Sequence, residues 1–175
     1  MKITSSRLLL LGVWLLAMAP ALRAQPAPWQ TTQMDIHAGL SDNCVNDVLL
    51  DARGCLWIGT NAGLDFYDGS NLVSVSFPDA KSRVQPVVFS LAEDPSGLLW
   101  AGTSGGLYSL DRTFLVMRRF EVPELDGYAI RQMCCSPAGY LWIAPKGKDL
   151  VRISTAGGVK EVLPMEGSAI CTGPT

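Results

Sequence analysis

From Val45 onward the chain is a succession of short apolar runs, each closed by Gly, Pro, Asp or Asn. Val45–Leu50, Val87–Ala92 and Ala129–Cys134 are strand-like runs, and each leads into a four-residue turn signature. Those signatures are Asp51-Ala52-Arg53-Gly54, Asp94-Pro95-Ser96-Gly97 and Ser136-Pro137-Ala138-Gly139. Aspartate at the first position bonds nearby backbone, proline presets φ at the second, and glycine closes the fourth; serine is a weaker cap. A short strand follows each turn, Leu56-Trp57-Ile58 in the first case. A second turn comes next, at Asn61-Ala62-Gly63 and Ser104-Gly105-Gly106. Third strands then run over Leu64–Tyr67 and Leu107–Leu110, and outer fourth strands over Leu72–Phe77 and Leu115–Phe120. Outside the first two dozen residues no segment carries a helical period, so the pattern predicts an all-β chain.

The same pattern recurs. Trp57, Trp100 and Trp142 are 43 and 42 residues apart, and the turn glycines Gly54, Gly97 and Gly139 repeat those intervals. A period of this length with four strands per unit predicts a β-propeller. The repeats cover about 44–77, 86–120 and 129–163, giving three four-stranded blades. Residues 168–175 read as the start of a fourth blade, and about 29–37 as an N-terminal strand that would close a ring. Three blades make an incomplete ring, because terminal blades expose a face that a neighbour would cover. The tryptophans recur at one structural position among apolar neighbours, which suits rings filling the gap between blades.

Composition adds a compartment. Lys2 and Arg7 precede an apolar run of 12 residues, Leu8–Ala19, and small residues follow Pro20. This is the layout of a signal peptide over 1–24, cleaved after Ala21 or Ala24. The run is short of the roughly 20 residues that span a bilayer, though a signal anchor is the competing reading. Removing it leaves eleven basic and sixteen acidic residues, a net charge of −5. That balance excludes a basic nucleic-acid footprint.

Cys44, Cys55, Cys134, Cys135 and Cys171 are odd in number, with no metal-knuckle spacing, and read as small buried hydrophobes on strands. His37 is the single histidine, which disfavours metal and His-dependent nucleophile chemistry. No catalytic, cofactor or metal residues are therefore assigned. The acids Asp51, Asp68, Asp94 and Asp111 all stand at turns or strand ends. Arg53, Asn61, Lys146 and Lys148 lie in loops, where propeller ligands bind, but the two turns of a blade fall on opposite faces. No ligand-binding residue is assigned on sequence alone.

Gly39-Leu40-Ser41-Asp42-Asn43-Cys44-Val45, followed by Asp51-x-x-Gly54-x-Leu56-Trp57-Ile58-Gly59-Thr60-x-x-Gly63-Leu64, resembles the two-component regulator propeller repeat. The second repeat keeps Gly102-Thr103 and Gly106-Leu107. The third departs after Ile143, where Ala144-Pro145-Lys146-Gly147-Lys148-Asp149 carries one extra residue and leaves its second turn open. The resemblance implies the N-terminal part of a periplasmic sensor propeller within a receptor anchored in the inner membrane. Its implied partners are an oligosaccharide or other small ligand, further blades and a membrane helix of the same receptor, and a homodimer mate. It also implies a cytoplasmic output domain, a kinase, cyclase or DNA-binding module. The competing reading is a secreted propeller lectin or polysaccharide-active enzyme. A Trp-Asp repeat scaffold is disfavoured because its Trp-Asp and Gly-His pairs are missing, and a quinoprotein propeller would place its tryptophan differently.

Overall fold

A computed structural model describes residues 31–80, 84–155 and 160–163. They form three antiparallel four-stranded meanders. Blade 1 contains β1 (Val45–Leu50), β2 (Leu56–Thr60), β3 (Gly63–Tyr67) and β4 (Leu72–Val75). Blade 2 contains β5 (Val88–Glu93), β6 (Leu99–Thr103), β7 (Gly106–Asp111) and β8 (Val116–Arg119). Blade 3 contains β9 (Ile130–Cys135), β10 (Tyr140–Pro145), β11 (Leu150–Ser154) and β12 (Lys160–Leu163). The fold is a run of propeller blades that does not close into a ring among the described residues. The segments read as a signal peptide (1–24) and as the start of a fourth blade (168–175) lie outside those residues.

Each first turn is held as its residues require. Gly54, Gly97 and Gly139 donate backbone N–H to the carbonyls of Asp51, Asp94 and Ser136 at 2.9, 2.8 and 2.9 Å. All three glycines have φ near +80°, at 82, 81 and 77°. That region is open to glycine at no steric cost.

The core lies between blades. Trp57, Leu64, Val75 and Phe77 of the first repeat pack against Val88, Leu91, Leu99 and Tyr108 of the second. On the opposite face of blade 2, Ala92 and Trp100 pack against Ile130, Met133, Leu141 and Ile143 of the third. Alternate residues of one strand thus enter different cores: Leu99 and Ala101 face blade 1, Trp100 faces blade 3. Gly59 and Gly102 permit the close approach. A Cβ on Gly59 would lie 2.8 Å from Val88 Cγ1, and one on Gly102 2.7 Å from Ile130 Cγ2. First strands of adjacent blades lie against each other and define the hub side.

Of the segment read over 29–37 as a closing strand that would pair with a last blade, residues 31–35 have no regular structure and Ile36–Ala38 is a single 3-10 turn. Asp35 explains the turn, because its carboxylate accepts the N–H groups of His37 and Ala38 at 2.9 and 3.0 Å and bends the chain. The cysteines are not uniformly buried strand residues. Cys44 is exposed ahead of β1, and Cys55, in the first turn, is half-buried along with Cys134 and Cys135. None of these four forms a disulfide among the described residues, and Cys171 is outside them. Burial, helped by the nearby Asp94 charge and Cys134, pushes the Cys135 thiol up to about 11, so it stays protonated near neutrality.

Candidate functional site

The two turns of each blade emerge at opposite ends of the sheet, giving a first-turn face and a second-turn face. On the first-turn face the polar groups are occupied by the fold. Asp51 accepts the N–H groups of Arg53 and Cys55 on one oxygen, both at 2.9 Å, and Trp57 Nε1–H on the other at 3.1 Å. Asp94 repeats the arrangement with Ser96 N, Leu98 N and Trp100 Nε1 at 2.9, 3.0 and 3.1 Å. Burial alone would raise both carboxyls, yet these donors outweigh it and hold them below the usual carboxylate range, with the Arg112 charge assisting at Asp51. In blade 3 the shorter Ser136 instead accepts the Tyr140 N–H at 3.2 Å. Arg112 ties the blades together here, reaching Asp51 at 3.7 Å, Glu93 at 3.6 Å and the Gly97 carbonyl. Asp68 and Asp111 likewise cap their own loops, accepting Ser70 N at 2.8 Å and Thr113 N at 3.0 Å. Each acid singled out in the sequence therefore carries a structural load.

The second-turn face is different. A cavity of about 480 Å³ opens between blades 1 and 2, lined in part by Asn61, Gln85, Ser104, Tyr108 and Arg119. Arg119 is anchored at its edge, donating to the Gly105 carbonyl at 2.9 Å and Asp126 at 2.8 Å and pairing with Glu121 at 3.0 Å. Its charge is met within the protein.

Beside the cavity, each first strand carries a β-bulge at the same repeat position. Register breaks between Val45 and Asp47, between Val88 and Ser90, and opposite Ala144 and Pro145, leaving Asn46, Phe89 and Arg131 unpaired. Bulges re-aim side chains, and these three hold one repeat position in a row across the blades. Asn46 Nδ2 donates to Asn61 Oδ1 at 3.0 Å and to the Val88 carbonyl at 2.9 Å. The Arg131 guanidinium lies 4.6 Å from the Phe89 ring centroid. Asn46 and Arg131 are exposed and Phe89 is half-buried.

Of the loop residues flagged in the sequence, Asn61, Lys146 and Lys148 fall on this face and Arg53 on the other. Lys148 Nζ donates to the Glu124 carbonyl at 2.6 Å and sits 4.6 Å above the Tyr128 ring. The longer second turn of blade 3 spans Lys146–Asp149 and positions both lysines. His37 is exposed in the 3-10 turn, away from both sets.

Sequence reasoning missed three features: the Asp-to-Trp bond, the bulge row, and buried Asp65, which accepts Ser41 Oγ at 2.6 Å and Ser41 N at 2.9 Å. The first had a signal, an Asp six residues before a Trp in two repeats. The bulge row had none, because its residue types differ from blade to blade. Among the described residues no helix is long and apolar enough to cross a membrane, and no group of three or more His, Cys, Asp or Glu could hold a metal ion.

The family model described as the two-component regulator propeller matches residues 39–62 and 83–105. The fold is similar to the extracellular domain assigned to hybrid two-component system BT3049 of B. thetaiotaomicron, with a TM-score of 0.63 and 21% identity over 75% of this chain and 20% of that one. It is similar too to the extracellular domain assigned to one-component system BT4673 of that organism, with a TM-score of 0.62 and 21% identity over 81% and 20%. Virginiamycin B lyase from Staphylococcus aureus gives a TM-score of 0.54 and 17% identity over 71% and 43%. At such identities the likeness is one of fold. The chain spans about a fifth of the length of the two extracellular domains. No curated protein sequence matches it. The matched segments carry the turn, Trp strand and second turn of blades 1 and 2, and these two blades match the two-component regulator propeller repeat.

Proposed function

We propose that the chain is the ligand-sensing part of a periplasmic receptor, binding an oligosaccharide or other small ligand on its second-turn face. The observation that carries this is the contrast between the two faces of the blades. On the first-turn face the acidic side chains are taken up by hydrogen bonds and ion pairs of the framework, and a cavity of about 380 Å³ there is lined by Pro95, Ser96, Pro137, Ala138, Gly139 and Thr155; the second-turn face holds a cavity of about 480 Å³ beside exposed residues that differ between blades. Concave sites with a few convergent polar groups are where small molecules bind. Signalling would follow if the ligand favours one packing of the propeller over another, since a ligand shifts an equilibrium only by its difference in affinity for the two states.

Reading the coding sequence past codon 175 tests the receptor. Further Asp-x-x-Gly-x-Leu-Trp repeats, an apolar span of about 20 residues and a cytoplasmic output domain are expected. Further blades that stop with no membrane span would replace the receptor with a secreted lectin or polysaccharide-active enzyme.

A further inference from the structure

We infer that the bulge row and the long blade 3 turn form a subsite for an anionic oligosaccharide, one bearing carboxylate or sulfate groups. The inference rests on the sensing role proposed above and names its ligand class. Three observations meet here.

First, the positions that build a blade keep their residue types. Asp51 and Asp94, Trp57, Trp100 and Trp142, Gly59 and Gly102, and Thr60 and Thr103 recur at the repeat interval. The bulge position does not: it holds Asn46, Phe89 and Arg131 in turn. A framework role would call for one residue type; three unlike side chains at one repeat position on successive blades, with Arg131 over the Phe89 ring, make a surface suited to one particular ligand.

Second, Arg131 and Lys146 are backbone neighbours at one end of the β9–β10 pair. Arg131 bulges opposite the end of β10, and the next residue, Lys146, donates its backbone N–H to the Ala129 carbonyl at 2.9 Å. Both side chains are exposed. Among the described residues neither has an acidic partner within ion-pair distance; the Arg131 head group has the Phe89 ring, which leaves its N–H donors for a planar anion. Arg112 and Arg119, by contrast, are each paired with carboxylates. Asp149, in the same turn, forms no ion pair with either cation, and Asp47 beside the row spends its carboxylate on Val48 N at 2.9 Å and Leu91 N at 2.7 Å.

Third, the unmet positive charge stands on an acidic protein, with 16 Asp and Glu against 14 Lys and Arg. An anionic ligand is therefore steered to this patch rather than to the surface at large. Phe89 adds an aromatic edge and Asn46 an amide, the usual company of a sugar ring. The adjoining cavity gives room for a further residue of the chain.

The test is calorimetric titration of the full chain with tetragalacturonate, a sulfated chondroitin disaccharide, neutral cellotetraose and inorganic sulfate. The acidic sugars should bind at least about tenfold tighter than cellotetraose, and more weakly as salt rises. Arg131→Gln should remove that preference and Lys146→Gln reduce it, while Arg53→Gln on the opposite face leaves it unchanged. Circular dichroism and thermal melting show that each variant is folded. Binding of one acidic sugar alone identifies carboxylate or sulfate as the group read. Binding of inorganic sulfate as tight as that of the sugars would overturn the oligosaccharide assignment. Equal binding of neutral and acidic sugars, indifferent to Arg131→Gln, would overturn the inference and leave the sensing role standing. A folded protein that binds none of the sugars would overturn both.

Discussion

A single carboxylate does much of the work of a first turn. Asp94 meets two backbone N–H groups and the indole of Trp100, which is 2% exposed. Truncation to Ala would strand a buried indole N–H and two turn amides, a loss of about 2–4 kcal/mol. Asp94→Asn keeps one oxygen and should lose less. Because the folded carboxyl lies below its ordinary value, its contribution is whole above the unfolded pKa near 4 and is lost as pH falls through the folded value. Melting temperature should therefore hold level from neutrality to about pH 5 and drop below about pH 4. The Asp51→Asn, Asp94→Asn double variant should start lower and show a shallower acid limb. An acid limb as steep as that of the parent would show that these two groups do not carry the pH dependence.

At the scale of elements, blades meet where glycine removes a side chain. Gly59 and Gly102 have ordinary backbone, so their requirement is spatial: Val88 and Ile130 fill the place of a Cβ. Gly59→Ala should cost about 1–3 kcal/mol by overpacking. Pairing it with Val88→Ala should restore part of that loss, giving a coupling that denaturant melts of the four proteins measure. Additive losses would mean that the two residues do not share the joint. Strands were legible in the sequence because period and punctuation agree: Val45–Leu50 was read as it is observed, and the other boundaries moved by one or two residues. Leu72–Phe77 ended early, at Val75, where the outer strand gives way to the linker toward blade 2. Within the segment read over 29–37, Asp35 acts locally and turns its own successors at Ile36–Ala38. The glycine contacts were hidden, since nothing in Trp-Ile-Gly-Thr says which residue of the next blade will fill the gap.

For the molecule as a whole, repetition made the framework readable and concealed the candidate site. Residues that recur announce a shared structural role, whereas Asn46, Phe89 and Arg131 are unlike one another and are set apart only by the bulge each occupies. The same repetition makes stability local, because each blade draws its core from its neighbours. Blade 2 is covered on both faces, by the cluster around Trp57 and Tyr108 and by the cluster around Trp100 and Leu141. Among the described residues blade 1 has no such cover on its far face, where Val48 is 56% and Leu50 68% exposed. Trp142 is half-buried on the far face of blade 3, alongside an Arg152 guanidinium 5.3 Å from its centroid. Amide exchange should accordingly be slowest in β6 and β7, faster in β1 to β4 and in β10 and β11, with blade 1 able to open alone. Gly59→Ala should speed exchange in blade 1 while leaving blade 3 near its parent rates, because only the first joint is disturbed. Exchange mass spectrometry resolves the blades separately. Uniform protection that collapses everywhere at once would mean one cooperative unit, and the blade-by-blade account of stability would then be wrong.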